Sequence, residues 1–428
     1  MNVFARWRPL AASEAVLEEI DRRTQNSKSC SLISVSIKRR RASSAEDRPW
    51  TSPAAFNTIF NPEDDNDKLY NNVVAPSIPK VLQGENCSFF AYGRSGSGKT
   101  HTVIGYDFQE SKNLGLCLRT AKHLFDAFDD QNAYPGLGIG LSLFELRRKT
   151  AFDLLNKRTQ CDVREGPDGK VHIRGETEML QGGKVRVRPI VQQACWNFVS
   201  FQRKLVKALE QCATGSSSIH DESSRTYAFL QLEIVNQSLM DARNALFDRQ
   251  SELVPVGKLA TDIMVDEDTK SVIRGQDGEW VPNPDYQRDQ TRINTIEAEK
   301  ARFEARFSAA EEVIAAIIRS GPAPCLGAKM VFVDLAGAEY YEGNGFHSQV
   351  SKQTLQERQE GRQINTWSQS QKRIPFRAST LTMILREHFT STGKGNSTII
   401  VTVSPAAEQF AATLNSLKYA SLVGAVKP

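Results

Sequence analysis

Short apolar segments alternate with amphipathic segments along most of the chain. Two of the apolar segments, Lys329–Leu335 and Ser397–Val403, are apolar almost throughout, which is typical of central strands covered on both faces. The amphipathic segments repeat an apolar residue every three or four positions and therefore predict helices. This alternation predicts an α/β fold in which helices cover both faces of a sheet. The predicted strands are Asn86–Tyr92, Leu137–Leu143, Ala228–Val235, Lys329–Leu335 and Ser397–Val403, and the predicted helices are Leu116–Phe128, Ala194–Leu209 and a last one that carries Phe410, Leu414 and Leu417.

Two segments interrupt this alternation. Residues 26–55 are polar and contain the basic run Lys38–Arg41, which predicts a long surface loop. Residues 237–325 form an insertion whose first half is polar and rich in turn residues. Its second half, Gln287–Ser320, contains no Gly or Pro and predicts one long helix that ends at Gly321.

The predicted helix of the insertion carries a heptad pattern, with Lys300 and Ala310 as its two weak positions. Such a pattern indicates a face that packs against another helix. We favour a helical hairpin that lies back on its own domain, because a pattern of this length is marginal alone. A coiled coil with a partner protein is the alternative. The apolar positions are Ile293, Ile296, Phe303, Phe307, Ile314 and Ile317.

Composition excludes several classes of protein. The chain has 428 residues, of which 40% are hydrophobic and 24% charged, so a large core is available and wholesale disorder is excluded. The net charge of +4 does not by itself indicate nucleic-acid binding. The seven cysteines are dispersed without a CxxC pair, which favours a reducing compartment over disulfides or a zinc site.

No apolar run reaches the roughly 18 residues of a membrane span, and the first ten residues do not resemble a signal peptide. We therefore expect a soluble intracellular protein with neither a nucleic acid nor a membrane as partner.

A phosphate-binding loop is the strongest chemical signal in the sequence. Residues 93–100 match the pattern GxxxxGK(S/T) and follow a predicted strand. Glycines allow backbone N–H groups to approach phosphate oxygens, the lysine neutralises the β- and γ-phosphates, and the last hydroxyl is placed to coordinate Mg²⁺. The predicted nucleotide-binding residues of the loop are Gly93, Arg94, Ser95, Gly96, Ser97, Gly98, Lys99 and Thr100.

An acidic residue on a neighbouring strand is also needed to hold Mg²⁺ in such a site. Asp334 ends the apolar strand MVFVD and opens the pattern DxxG, whose glycine, Gly337, is placed to report on the γ-phosphate. The pattern (N/T)KxD, which would recognise guanine, does not occur in the chain. The predicted substrate is therefore ATP, bound with Mg²⁺.

Six motifs, in the same order along the chain, resemble those of the kinesin motor domain. The resemblance covers nearly the whole chain, 1–428, outside the two interruptions, and implies a P-loop NTPase fold with a central mixed, mainly parallel β-sheet. The motifs are Phe4–Leu10 (FARWRPL), Phe90–Thr102 (FAYGRSGSGKTHT), Ser223–Tyr227 (SSRTY), Asp334–Glu339 (DLAGAE), Ile374–Thr382 (IPFRASTLT) and Thr413–Ala420 (TLNSLKYA).

The resemblance implies roles for residues beyond the loop. Arg6, Pro9 and His101 stand at nucleotide-binding positions of the family. Ser223 and Ser224 stand in the first switch, where their hydroxyls would position the attacking water, and Ser224 would join Thr100 and Asp334 around Mg²⁺. Arg225 and Glu339 resemble the ion pair between the switches that closes the site, and Gly337 would pass the loss of γ-phosphate to the segment behind it. This set implies an ATPase.

The resemblance also implies a partner, the microtubule, and hence a cytoplasmic, cytoskeletal location. Lys372, Arg373 and Arg377 are the basic residues expected to meet acidic tubulin. Only Thr366–Ile374 separate Asn365 from Pro375, so the relay helix of the family is shortened to about two turns here.

Three hypotheses follow for the function. The leading one is an ATP-hydrolysing, microtubule-associated motor domain, with a weak resemblance to depolymerising members in Phe152–Asn156 (FDLLN) and in the basic run Lys38–Arg41. The second is a nucleotide-binding interaction module that has lost motility and uses the insertion helix, residues 287–320, to dock a partner. The third is an imperfect gene model, with an intron retained as the insertion or a relay exon omitted. Direction of movement, cargo and oligomeric state do not follow from the sequence.

Overall fold

The fold described below is that of a computed structural model. It describes residues 1–16, 19–26, 31–38, 49–106, 108, 110, 113–130, 132–166, 171–180, 185–213, 226–337, 377, 379–390 and 396–424.

The strands within these residues agree with the predicted ones to within a few residues. All five predicted strands are present, and the one predicted at Leu137–Leu143 extends four residues beyond its predicted end. In chain order the strands are β1 Asn2–Trp7, β2 Glu19–Asn26, β3 Ser31–Lys38, β4 Trp50–Thr51, β5 Thr58–Phe60, β6 Cys87–Tyr92, β7 Gly138–Arg147, β8 Thr150–Asp153, β9 Thr159–Glu165, β10 Val171–Met179, β11 Val185–Pro189, β12 Gln193–Cys195, β13 Tyr227–Val235, β14 Val272–Arg274, β15 Trp280–Pro282, β16 Lys329–Asp334 and β17 Asn396–Val403.

The helices include each predicted one. Leu116–Phe128 has the predicted bounds, whereas the helix predicted from Ala194 begins at Phe198, because Gln193–Cys195 pairs with β7 instead. The α-helices of the described residues are α1 Asn66–Val73, α2 Ile78–Leu82, α3 Lys99–Val103, α4 Leu116–Phe128, α5 Phe198–Ala213, α6 Gln237–Lys270, α7 Gln290–Arg319, α8 Thr380–Thr390 and α9 Phe410–Gly424.

Within the described residues, a sheet of twelve strands forms the centre of the molecule, in the order β11-β10-β9-β8-β7-β13-β16-β6-β17-β1-β5. The twelfth strand, β12, pairs with the first half of β7 on the same edge as β8. The strands from β16 to β5 run parallel to one another, and β13 pairs antiparallel with β16. The predicted mixed sheet is confirmed, and it is mostly parallel in its core, from β16 to β5. From β13 outwards to β11 the pairing is antiparallel, which the sequence did not predict.

Apolar side chains are buried on both faces of the sheet. In β6, Phe89 packs into the core on one face and Phe90 into the core on the other, and Phe332 and Val333 of β16 alternate in the same way. The aromatic rings of Phe89 and Phe332 stack at 5.1 Å between centroids. Because both faces are covered, the central strands are apolar almost throughout, as predicted.

The prediction of a loop over residues 26–55 was wrong for part of that segment. Strands β2, β3 and β4 form a separate three-stranded sheet. Val35 and Ile37 of β3 are fully buried in the core on one side of the main sheet. The alternation of serine with apolar residues in Ser31–Lys38 is a strand pattern, which the polar and basic flanking residues obscured.

The insertion is an antiparallel helical hairpin. Helix α6 runs outwards, the short strands β14 and β15 form the tip, and α7 returns against α6. The heptad pattern predicted for α7 is confirmed, since Ile293 and Ile296 are buried against Ala260 and Ile263 of α6. The expectation that the first half of the insertion is turn-rich was wrong over Gln237–Lys270, which is one helix despite an internal proline, Pro255.

Two further expectations concern membranes and cysteines. Among the described residues, no helix combines the length and the apolar character needed to cross a bilayer. Five cysteines in this part of the chain are buried free thiols.

Candidate nucleotide site

The loop between β6 and α3 has a backbone with positive φ at three glycines, Gly93, Gly96 and Gly98, a conformation that favours glycine. A Cβ atom on Gly93 would lie 2.2 Å from the carbonyl oxygen of Thr402 on the neighbouring strand β17. Gly98 has a φ of 96° immediately before α3 begins, which is the left-handed region that side chains disfavour. The loop is therefore shaped by its glycines, as the spacing of the motif predicts.

Lys99 points into the loop. Its side chain is buried, and the ammonium group donates hydrogen bonds to the carbonyl oxygens of Gly93 at 3.1 Å and Arg94 at 3.0 Å. Around the same turn, Arg94 and Ser95 are half-buried and Gly96 is exposed. A buried ammonium group that is surrounded by backbone in this way is placed to receive a phosphate group.

Thr100 and Asp334 come together from two different elements. The Thr100 hydroxyl donates a hydrogen bond of 2.6 Å to Asp334 Oδ2, although the two residues are 234 positions apart. Asp334 Oδ1 is buried and has no hydrogen-bond partner among the described residues. Burial raises the pKa of Asp334, and Lys99 and Thr100 oppose this shift only in part.

These two residues fit a magnesium ion. Mg²⁺ prefers oxygen ligands and in phosphate sites uses one or two protein groups besides the phosphates. A hydroxyl beside a carboxylate, one buried oxygen of which has no partner within the described residues, supplies such a set. A bound cation would compensate the buried charge. Thr100 and Asp334 are thus the described residues that would hold the ion.

Hydrogen bonds from β17 and α3 hold the loop in place. Ser97 Oγ and Thr402 Oγ1 lie 2.7 Å apart, and the Thr102 hydroxyl donates to the carbonyl oxygen of Gly98 at 2.8 Å. Arg6 donates to Thr102 Oγ1 at 2.8 Å and to Asn66 Oδ1 at 2.6 Å. Arg6 is buried, and this burial lowers its pKa to about 10. Its contacts in the structure support α3, and a direct contact with nucleotide stays a prediction.

Two residues that the sequence did not single out lie beside the loop. Arg8 donates to the carbonyl oxygen of Pro9 at 2.7 Å and to Glu14 at 2.8 Å, while its Nε is buried without a hydrogen-bond partner in the described part of the chain. Tyr106 is 71% exposed and its ring lies 5.6 Å from that of His101. Burial, together with Arg6, lowers the pKa of His101. The RxRP spacing could have indicated Arg8.

Several predicted site residues lie outside the described residues. Ser223, Ser224 and Arg225 of the first switch, Glu339 of the second, and Lys372 and Arg373 of the basic segment are among them. Gly337 is described and follows Asp334 by three residues. The segment between Asp334 and Gly337 stays against the loop strand, since the Leu335 N–H donates to the carbonyl oxygen of Ala91 at 3.1 Å.

Arg377, predicted to contact tubulin, is bound to an acidic residue of the same chain. It donates hydrogen bonds of 2.6 and 3.0 Å to the two carboxylate oxygens of Glu165, at the end of β9. Arg386 of α8 reaches the same carboxylate at 3.2 Å. The hydrogen bond from Arg377, aided by the charge of both arginines, lowers the pKa of Glu165.

Comparison with known proteins places this geometry in context. The family model for the kinesin motor domain matches residues 6–260 and 310–426. The chain is 24% identical over 389 residues to the kinesin-like protein cut7 of Schizosaccharomyces pombe, which covers 88% of this chain and 28% of that protein. It is 25% identical over 435 residues to the kinesin-like protein KIN-13A of Oryza sativa, and this alignment covers 99% of this chain and 41% of that protein. A solved structure of a fast kinesin has a TM-score of 0.61 at 17% identity and covers 100% of this chain and 92% of that one.

These matches differ in what they show. The chain spans 28% and 41% of the lengths of the two curated relatives. The solved structure, at 17% identity, supports the fold alone. Residues 261–309, which include the tip of the helical hairpin, lie outside the match to the family model.

Proposed function

Because the chain belongs to the kinesin motor domain family, we propose that it binds MgATP at Gly93–Thr100, hydrolyses it, and couples this turnover to microtubules in the cytoplasm. Kinesin motor domains are generally ATPases. The observation that carries the proposal is the pairing of Thr100 with Asp334 beside Lys99, because Asp334 keeps one buried oxygen that has no hydrogen-bond partner in the described part of the chain. A hydroxyl and a carboxylate arranged in this way suit a site for a cation that is bound to phosphate.

The residues of the chain divide the work of hydrolysis. Lys99 neutralises phosphate charge, and the glycine-shaped backbone orients the triphosphate. When bound, Mg²⁺ supplies positive charge to the β- and γ-phosphates. The sequence assigns the positioning of water to Ser223 and Ser224, and the closure of the site to the pair Arg225 and Glu339. Positioning and charge neutralisation account for most of the catalysis in phosphoryl transfer.

Binding of ATP is the first test of the proposal. A fluorescent ATP analogue is titrated into the purified protein with Mg²⁺ and again with EDTA. We expect affinity that depends on Mg²⁺, and we expect Lys99→Ala to weaken it at least about tenfold, since a charge-assisted contact to phosphate is lost. The matched control is Lys207→Ala on α5, an exposed lysine away from the loop. Absence of affinity that depends on Mg²⁺ would overturn the proposal.

Microtubules provide the second test. ATP turnover is measured with and without saturating microtubules, and again with Arg377→Gln. We expect stimulation by microtubules. The variant should need a higher half-maximal microtubule concentration, because it removes a cation that is 79% exposed although it pairs with Glu165, and an exposed cation attracts acidic tubulin. The stimulation should fall as salt is raised, since exposed charges are screened.

The alternative function is a nucleotide-binding interaction module without motility. Its supporting observation is the tip of the helical hairpin, where Ile273, Trp280 and Val281 are exposed by 41%, 69% and 38%. An apolar tip outside the family match suits a partner-binding role. A basal ATPase rate that saturating microtubules leave unchanged would favour this alternative.

A further inference from the structure

A cavity of about 420 Å³ lies at the end of the parallel strands opposite to the nucleotide loop. Its lining includes Cys87, Lys329 and Asn396, the first residues of β6, β16 and β17. The nucleotide loop follows Tyr92, and Asp334 is the last residue of β16, so the length of the strands separates the two sites. The cavity is therefore distinct from the nucleotide site.

One part of the cavity wall is aromatic and aliphatic. Phe144 and Phe229 stack in parallel with ring centroids 4.7 Å apart. Phe247 is contributed by α6, the first helix of the insertion, and Ile384 by α8. The first helix of the insertion therefore forms part of the cavity wall.

The polar part of the wall is cationic. Lys329 and Arg174 line the cavity, and no Asp or Glu is found among its described lining residues. Neither cation forms an ion pair with a described residue, although Lys329 is close enough to Glu233, the partner of Arg243, for its charge to lower the pKa of Glu233. His388 lies 2.9 Å from Ser88 Oγ through its Nδ1. Burial, together with the charge of Lys329, lowers the pKa of His388 to about 4, so this ring is neutral at physiological pH.

We propose that this cavity binds a small organic anion with an apolar, aromatic body. Its volume lies in the range of roughly 300–1,000 Å³ that is usual for small-molecule sites. The stacked phenylalanines suit a planar apolar group, and Lys329 and Arg174 suit a carboxylate, sulfonate or phosphate. An uncharged ligand would bring no anion to a cavity whose described lining holds two cations and no carboxylate, and a cationic ligand would be repelled.

The test uses two dyes that differ by one charge. The aromatic sulfonate ANS (anilinonaphthalene sulfonate) becomes fluorescent in apolar sites, and NPN (phenylnaphthylamine) has the same body without the sulfonate. We expect one saturable ANS site in the protein without nucleotide. Lys329→Met and Arg174→Met should each weaken ANS binding about tenfold, because a charge-assisted contact is lost. Binding of NPN should change less than about twofold.

Controls separate this site from the nucleotide site and from unfolding. Arg203→Met, an exposed residue of α5, should leave the affinity for ANS unchanged, and so should Lys99→Ala. Val187→Trp, which fills the cavity from β11, should abolish binding of both dyes while the melting temperature shows that the protein is folded. The proposal is overturned if MgATP displaces ANS, or if both charge variants bind ANS as the parent does.

Discussion

At the scale of single residues, the two carboxylate oxygens of Asp334 have different surroundings. Its Oδ2 accepts the hydrogen bond from Thr100, but its Oδ1 is buried without a partner in the described structure. Burial raises the pKa of this carboxyl group, which means that its ionised form is less stable in the folded protein than in the unfolded chain. Without a bound cation, the buried carboxylate of Asp334 therefore lowers the stability of the folded protein, and the proposed magnesium ion would offset this cost.

Replacing the carboxylate of Asp334 should stabilise the nucleotide-free protein. The pKa of Asp334 is higher in the folded state, so its destabilising effect is absent below the unfolded pKa and develops as the pH rises through the folded pKa. At neutral pH without Mg²⁺ and nucleotide, we expect Asp334→Asn to melt at a higher temperature than the parent protein. The difference should disappear in acid, and the affinity for MgATP should fall at least about tenfold.

Calorimetry over a range of pH and a titration with a fluorescent ATP analogue check both parts. Asp262→Asn, an exposed position on α6, is the control for removing one negative charge. A lower melting temperature for Asp334→Asn at neutral pH would contradict the account of the buried oxygen.

Spacing along the sequence predicted the residues of the loop but not every neighbour. Residues 93–100 and Asp334 could be recognised because phosphate binding restricts which residue types can stand at each position. Arg6 and Arg8 share the RxRP motif, yet Arg6 is buried behind the loop and Arg8 lies near Gly98. Strand β1 ends at Trp7, so alternation along the strand no longer fixes where Arg8 points.

At the scale of elements, a buried charge network joins the insertion to the sheet. Arg243 of α6 donates to Glu233 of β13 at 2.9 Å and to Gln192 at 2.7 Å, and Gln192 donates to Glu233 at 2.7 Å. The side chain of Glu233 is 2% exposed. Burial alone would raise the pKa of Glu233, but Lys329 and Arg243 more than offset this, so its pKa lies below the ordinary value.

Removing one member of this network should be costly. We expect Arg243→Met to lower the free energy of unfolding by about 3 kcal/mol at neutral pH, because a buried carboxylate loses its partner. The double variant with Glu233→Gln should recover more than half of that loss. Because the folded pKa of Glu233 is lowered, the stabilisation is present above the unfolded pKa and is lost as the pH falls through the folded pKa.

Urea denaturation of the parent, the two single variants and the double variant measures the coupling. Arg203→Met is the control for losing an exposed arginine. Equal losses in Arg243→Met and in the double variant would contradict the explanation that the carboxylate of Glu233, left without its partner, causes the loss.

The two helices of the insertion show why one could be predicted and the other could not. The seam of α7 is apolar at heptad positions, and those positions are the less exposed ones in the structure. Helix α6 contains Pro255, and an internal proline costs about 3 kcal/mol in an isolated helix. Packing along α7 and against the sheet outweighs this local preference, which sequence patterns within α6 do not reveal.

At the scale of the molecule, the chain combines a family core with a projecting hairpin. The outer half of the hairpin has its own small cluster of Ala260, Ile263, Ile293 and Ile296, separate from the two cores of the sheet. The antiparallel half of the sheet and the packing of the hairpin root depend on contacts between distant residues. Such contacts are not visible in local periodicity, so this level of organisation could not be predicted.

The separation of these clusters predicts that the outer hairpin can be removed. Glu252 of α6 and Arg306 of α7 face each other, with Arg306 Nη1 3.7 Å from Glu252 Oε2. Replacing residues 254–304 by a short Gly-Ser turn should therefore close the hairpin without moving its root, where Ile314 and Ile317 pack on the main core. We expect affinity for MgATP within about threefold of the parent. The organic-anion cavity should also persist, because Phe247 is retained and still lines it.

Nucleotide titration, ANS titration and the melting temperature of the truncated protein measure these outcomes together. Replacing the exposed tip residue Trp280 by Ser in the full chain gives a control that leaves both helices intact. If the truncated protein is folded but no longer binds MgATP, the outer hairpin supports the nucleotide site through contacts beyond its own cluster. If it keeps binding and microtubules still stimulate turnover, motor chemistry resides in the family core and the hairpin is free to serve another purpose.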